Sequence, residues 1–159
     1  MTYPRTLAHI GLSVPNLDKA LKFYNEVMGW YIIKEPETIE NTDSEDCLMA
    51  RDVFGEKWSK FKVAHMSTGD GIGIEIFEFS DNKPTTDSFS YSKTGLFHFC
   101  IKDPDLEELI KKIVESGGKQ RMPVRYFNKG KNSYRMCFVE DPFGIVFEIY
   151  SHSYELINS

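Results

Sequence analysis

HIGLSVPNLDKALKFY, residues 9–24, and HFCIKDPDLEELIKKI, residues 98–113, lie over one another without a gap at an offset of 89. His9 falls on His98, Pro15 on Pro104, Leu17 on Leu106 and Asp18 on Glu107. Self-similarity of this kind marks a duplicated supersecondary unit. A second overlay, at an offset of 73, sets GIGIEIF (71–77) on GIVFEIY (144–150), so that Gly71 meets Gly144 and Glu75 meets Glu148. Each half opens with a histidine and closes with a glutamate. The offsets differ by 16 residues, so the first half carries an insertion. The acidic, turn-rich stretch 35–56 is the place for it, and its composition predicts a surface loop or lid.

Each half reads as a strand, a helix and three further strands. Along residues 6–14, Ala8, Ile10, Leu12 and Val14 alternate with Leu7, His9, Gly11 and Ser13, the period of a strand with one apolar face. Leu17, Ala20, Leu21, Tyr24 and Met28 then recur at helical spacing, with Asn16 as N-cap and Gly29 as stop, which predicts a helix packed on that apolar face. The same reading applies to residues 96–102 and the helix 105–116, closed by Gly117 and Gly118. Further strands are predicted at 30–34, 59–66, 72–79, 120–122, 134–140 and 145–151, with Asp141, Pro142, Phe143 and Gly144 as the last hairpin turn. The fold class is α+β, built from two tandem βαβββ modules, 5–80 and 93–152, within one domain spanning 1–159.

Successive strand side chains face opposite ways, so His9 and His98 point to the face without helices. Gly73, Glu75 and Phe77 oppose Ile72, Ile74 and Ile76, and Glu148 and Tyr150 oppose Phe147 and Ile149, which brings Glu75 and Glu148 to that same face. Periodicity does not say whether the four residues converge. Two imidazoles and two carboxylates that did converge would suit a divalent transition metal with positions left for water or substrate. Gly11 and Gly73 would keep the floor of such a cavity clear. A glutamate among isoleucine-rich strands is costly without a partner, and a ligand role removes that cost.

The repeated unit, the opening HIGLSVPNLDKALKFYNEVMGW, the closing EDPFGIVFEIYS and the order His, Glu, His, Glu resemble the vicinal oxygen chelate superfamily, which holds glyoxalase I, bleomycin-resistance proteins and extradiol dioxygenases. The resemblance covers nearly the whole chain. It implies a cupped mixed β-sheet with helices on its outer face. It also implies one divalent metal ion (Zn, Ni, Co, Mn or Fe) on His9, Glu75, His98 and Glu148, and a homodimer. The implied activity is that of a metal-dependent lyase, isomerase or epimerase. Such an enzyme chelates neighbouring oxygens of a small carbonyl or hydroxy-carbonyl substrate and moves a proton through an enediolate, with Glu148 or Glu75 as the base. TGLFHFCIKDPD and EDPFGIVFEIYSHSYEL further resemble a subgroup of cyclitol epimerases acting on valiolone-type keto sugars. The alternatives are an extradiol-type dioxygenase, whose iron takes two histidines and one carboxylate, and a metal-free small-molecule binding or resistance protein.

The remaining composition narrows the partners. With 41% apolar and 27% charged residues among 159, the chain reads as an ordinary globular protein, and no apolar run is long enough to cross a bilayer. Its 19 basic against 24 acidic side chains, net −5, give no positive field for nucleic acid. The opening residues lack the pattern of a signal peptide, and Cys47, Cys100 and Cys137 form no C-x-x-C pair, so reduced thiols in the cytoplasm are expected. His65 overlays Phe138 and is read as packing. His152, on the face of Glu148, is a possible substrate contact, and Cys100 shares the face of His98. Glu78 falls on the isoleucine face and reads as an edge or surface charge. Residues 125–131, with Arg125, Tyr126 and Lys131, read as a solvated basic loop, although with Arg135 they could meet an anionic substrate. Trp30 and Tyr31 are expected to pack at the sheet.

Overall fold

The structure is a computed structural model that describes residues 3–42, 44–81, 90–127 and 133–158. The chain divides into two compact units, Met1–Pro84 and Thr85–Ser159. The first contains β1 (His9–Ser13), α1 (Leu17–Glu26), β2 (Tyr31–Glu40), α2 (Glu45–Phe54), β3 (Lys60–Ser67) and β4 (Gly73–Phe79). The second contains β5 (Phe99–Lys102), α3 (Leu106–Glu115), β6 (Lys119–Gln120), β7 (Arg125–Phe127), β8 (Tyr134–Glu140), β9 (Val146–Tyr150) and α4 (Tyr154–Asn158).

Both units have the same mixed topology. The first sheet runs β1-β4-β3-β2, with β1 parallel to β4 and the other pairs antiparallel. The second runs β5-β9-β8-β6, with β5 parallel to β9. Where the first unit has one long edge strand, β2, the second has two short ones, since β6 and β7 both pair with β8. The hairpins that return to the last strand are copies of one another. Gly71 and Gly144 take φ of 87° and 90°, a conformation that costs glycine little. Thr68 Oγ1 accepts from Ile72 N at 3.0 Å, and Asp141 Oδ1 accepts from Ile145 N at 2.9 Å.

The helices α1 and α3 each cover one face of their own sheet. Leu17, Ala20, Leu21 and Tyr24 of α1 are buried, as are Leu12, Ala64, Met66, Ile74 and Ile76 of the strands it packs on. In the second unit Leu106, Leu109, Ile110 and Ile113 of α3 are buried with Cys137, Val139, Phe147 and Ile149. Asn16 caps α1 as expected, its Oδ1 accepting from Lys19 N at 2.8 Å. Trp30 is buried and stacks on Tyr24 at 4.9 Å, whereas Tyr31 is exposed.

Two regions depart from the sequence reading. The stretch 35–56 is not a loop, because β2 continues to Glu40 and α2 follows. Cys47 and Ala50 of α2 are buried against Trp58, Phe61 and Val63, and the Phe54 ring meets Phe61, Phe77 and Phe79 at 5.2–5.8 Å. Asn41 staples the base of this excursion, donating to Trp58 O and accepting from Arg51 Nε, both at 2.7 Å. The second departure is Arg125–Phe127, read as loop, which is the exposed strand β7. Lys131 lies outside the described residues.

Candidate metal centre

In antiparallel and parallel ladders alike, paired residues present their side chains on one face. On β1 and β4 the pairs His9 with Gly73 and Gly11 with Glu75 therefore set His9 and Glu75 side by side. On β3, His65 is paired with Glu75, and Phe61, Val63, Phe77 and Phe79 continue the face toward α2. This face is thus not free of helices, as periodicity had it. One end is walled by α2 and its aromatic cluster, and the other carries the histidines.

His9 Nε2 stands 3.6 Å from Glu75 Oε2. In the second unit Cys100 pairs with Glu148 and Glu148 with Phe138, and His98 Nε2 stands 3.8 Å from Glu148 Oε2. The structure therefore brings the four candidate residues into two His–Glu pairs, His9 with Glu75 in the first unit and His98 with Glu148 in the second. The pairs differ in burial. The side chains of His9 and Glu75 are 55% and 30% exposed, those of His98 and Glu148 26% and 8%.

Burial raises the proton affinity of Glu148 above that of an ordinary carboxylate, and the facing His98 offsets this only in part. Desolvation of the Cys100 thiol and the adjacent Glu148 carboxylate push that thiol up to about 12. Cys100 has an exposed surface all the same, so its sulfur is a protonated, weakly nucleophilic group at the edge of the pair.

Several nearby residues have other work. Gly73 lets His9 lie flat on the sheet, since a Cβ there would come within 2.9 Å of His9 Cβ. Gly11 does not leave an open floor, because a Cβ there would touch the Phe77 ring at 3.7 Å. Glu78 is more than a surface charge. Its Oε2 accepts from Leu17 N at 2.6 Å, a carboxylate at the positive end of α1. Arg135 is turned to α3, donating to Glu107 and, at 2.7 Å, to Pro104 O. His152 Nδ1 meets Ser151 Oγ at 2.8 Å, and its ring lies edge-on to Tyr134 at 4.8 Å. His65 Nδ1 is 3.8 Å from Glu75 Oε1, so it belongs to the polar face and not to the packing assigned by its overlay on Phe138. A groove of about 460 Å³ lined by residues that include Glu107, Ile110, Lys111, Val114, Gln120 and Val124 follows α3 and holds none of His9, Glu75, His98 and Glu148.

The donor set can be tested against a metal ion. Among the described residues, no group of three or more His, Cys, Asp or Glu side chains is gathered so as to hold one. Each pair supplies one imidazole nitrogen and one carboxylate, the borderline donors that divalent zinc, nickel, cobalt, manganese and iron accept. Among the described residues, His98 Nδ1 is a buried polar atom with no hydrogen-bond partner, while the nitrogen that faces Glu148 is Nε2. By donor type, each His–Glu pair suits such an ion. No helix among the described residues is long and apolar enough to cross a membrane.

The family model of the Glyoxalase/Bleomycin resistance protein/Dioxygenase superfamily matches residues 6–149. A lactoylglutathione lyase of Arabidopsis thaliana is 28% identical over 148 residues, which are 91% of this chain and 44% of that protein. The chain thus spans less than half the length of this curated relative. Among solved structures, a glyoxalase family protein of Bacillus cereus superimposes with a TM-score of 0.76 at 20% identity, covering 94% of this chain and 95% of that one. A fosfomycin resistance protein of Listeria monocytogenes gives 0.59 at 18% identity, covering 95% and 94%. At these identities both likenesses are of fold. A family match over nearly the whole length, on a chain whose two units repeat one strand order and one His–Glu pair, makes this protein a member of the Glyoxalase/Bleomycin resistance protein/Dioxygenase superfamily.

Proposed function

We propose that His9, Glu75, His98 and Glu148 together hold one divalent metal ion. We further propose that the protein is a lyase, isomerase or epimerase acting on a small carbonyl or hydroxy-carbonyl compound. The observation that carries this reading is the duplication of the pair, a histidine at the start of the first strand (His9) or just before it (His98), 3.6 or 3.8 Å from a glutamate on the last strand of each module. When bound, the ion supplies Lewis acidity toward neighbouring substrate oxygens and stabilises the negative charge that builds there. The chain's own residues handle the proton.

Glu148 is the better acceptor of the two carboxylates, because burial makes its proton affinity higher than that of a solvated glutamate. It takes the proton from the carbon beside the carbonyl and returns it. Return to the same carbon from the other face is epimerisation, and return to the neighbouring carbon is a glyoxalase-type isomerisation. The cyclitol epimerase likeness belongs to the first outcome and the similarity to lactoylglutathione lyase to the second. His9 and His98 hold position while the carboxylate exchanges its proton. Each module supplies two donors, so the centre needs two modules, paired within one chain or across two, and on the family resemblance a homodimer in the cytoplasm is the assembly we propose.

The test is the metal content of protein purified without chelators or affinity-tag metals, wild type beside His98→Ala. About one ion per chain, lost in the variant, is the expected result. A wild type that holds no ion after each of the five candidate metals is added back overturns the reading and leaves a metal-free binding protein.

A further inference from the structure

Glu75 and Glu148 occupy equivalent positions, yet the residues across the sheet from them differ in kind. His65 is the register partner of Glu75 on β3, and Phe138 is the register partner of Glu148 on β8. Glu75 is therefore bracketed by two imidazoles, one at each oxygen, with His9 Nε2 3.6 Å from Oε2 and His65 Nδ1 3.8 Å from Oε1. Packing alone does not require an imidazole at position 65, because that side chain is 32% exposed and the same place in the second module takes a phenyl ring. The ring at Phe138 offers Glu148 no donor and lies edge-on to His98 at 5.1 Å.

We propose that His65 is a positioning residue that fixes the carboxylate of Glu75 in the centre. This rests on the metal reading given above. With a proton on Nδ1, a neutral His65 donates to Oε1 and leaves Oε2, on the side of His9, for the ion. The observed separation of 3.8 Å exceeds a hydrogen bond, and a shift of about 1 Å closes it to ordinary length. Catalytic contacts commonly tighten by such amounts when a site is loaded. A carboxylate held at one oxygen loses little further freedom on ligation, so the tether strengthens metal binding. Phe138 offers Glu148 no donor, and the groups that meet that carboxylate are the Cys100 thiol and the Tyr150 hydroxyl, not a second imidazole.

The experiment titrates Co(II) into the chelator-treated full chain against a competing chromophoric chelator, and records the visible absorption of the complex. The wild type, His65→Phe, His65→Leu and His65→Gln are compared, with circular dichroism to confirm that each is folded. Two donor-free variants are used so that the failure of one to fold leaves the other. The expected result is one Co(II) per wild-type chain and affinity lower by about 10- to 100-fold in the Phe and Leu variants, the usual cost of removing a ligand's outer partner. The Gln variant, which keeps a donor, recovers most of the loss, and the band shape stays that of the wild type. Unchanged affinity in folded Phe or Leu variants overturns the proposal, as does a Gln variant that recovers nothing. A changed band shape also overturns it, because it would make His65 a ligand. A wild type that binds no Co(II) or other candidate ion fails the metal reading itself, a result separate from any of these.

Discussion

Around Glu75 stand Gly11 on the parallel neighbour and His65 on the antiparallel one; around Glu148 the same positions hold Cys100 and Phe138. His9 lies over Gly73, while the residue of the second half that overlays Gly73 is Val146. The first pair is therefore polar, open and backed by bare backbone, and the second is enclosed by sulfur and aromatic carbon. A glutamate that is 30% exposed and set between two imidazoles would suit a ligand that stays on a cation. One that is 8% exposed and next to a phenyl ring is raised in proton affinity and suited to taking a proton. Duplication has kept the pair and changed its surroundings.

The strongest way to break this contrast is to neutralise each glutamate in turn. Glu148→Gln is expected to lower the rate of proton exchange by about 10²- to 10⁴-fold, the range for removing a general base, while the protein keeps part of its metal. Glu75→Gln is expected to lose metal first and rate as a consequence. Solvent deuterium exchange into hydroxy-carbonyl compounds, followed by NMR beside metal analysis of the same samples, reads both quantities. Equal losses of metal and rate in the two variants would show that the carboxylates are interchangeable.

A smaller effect is expected from making the first pair resemble the second in its backing. Gly73→Val places a side chain where a Cβ alone would meet His9 Cβ at 2.9 Å and Ala8 O at 3.4 Å. Overpacking of this kind costs about 1–3 kcal/mol, and the strain falls on His9 because the other neighbour is backbone. Urea unfolding should show the loss of stability and Co(II) titration a weakened site. A variant with wild-type stability and affinity would mean that the clearance under His9 has no consequence.

Much of this was legible in the sequence because the repeat supplied an internal control. The register of Glu75 with Glu148 survived translation into strands, with His9 opening β1 and His98 one residue ahead of β5, since a period of two fixes the face of every strand residue once one face is assigned. What stayed hidden depended on pairing between strands. His65 meets Glu75 across an antiparallel ladder 10 residues away in the chain, and the overlay on Phe138 pointed toward packing because it compared modules and not neighbours. Glu78 reaches α1 over a separation of 61 residues. The helix α2 was masked for a different reason. Cys47 and Ala50 face inward, but Leu48, Met49 and Val53 are exposed, so apolar residues lie on both sides and the helical period is blurred. The strand β7 was lost in a basic stretch whose three residues are all exposed, which leaves no alternation to read.

The comparison extends to how each module launches its helix. Asn16 and Glu78 satisfy two of the first backbone donors of α1, at 2.8 Å to Lys19 N and 2.6 Å to Leu17 N. At the start of α3, Asp105 makes no such side-chain bond, and the turn is held from outside by Arg135 on Pro104 O and Glu107. Asn16→Ala should therefore cost about 1 kcal/mol, the ordinary worth of a capping residue. Asp105→Ala should stay within about 0.5 kcal/mol, as for a surface change away from any special contact. Urea midpoints of the two variants at equal protein concentration decide it. Equal losses would mean that Asp105 acts through its charge on the helix end, since no capping bond is there to be removed. The larger loss at Asn16 would instead show that the two modules reach the same helix by different means. The strand bearing His9 would then be anchored by a local cap and by Glu78 of the strand that also bears Glu75, which ties the geometry of the first pair to the stability of its own module.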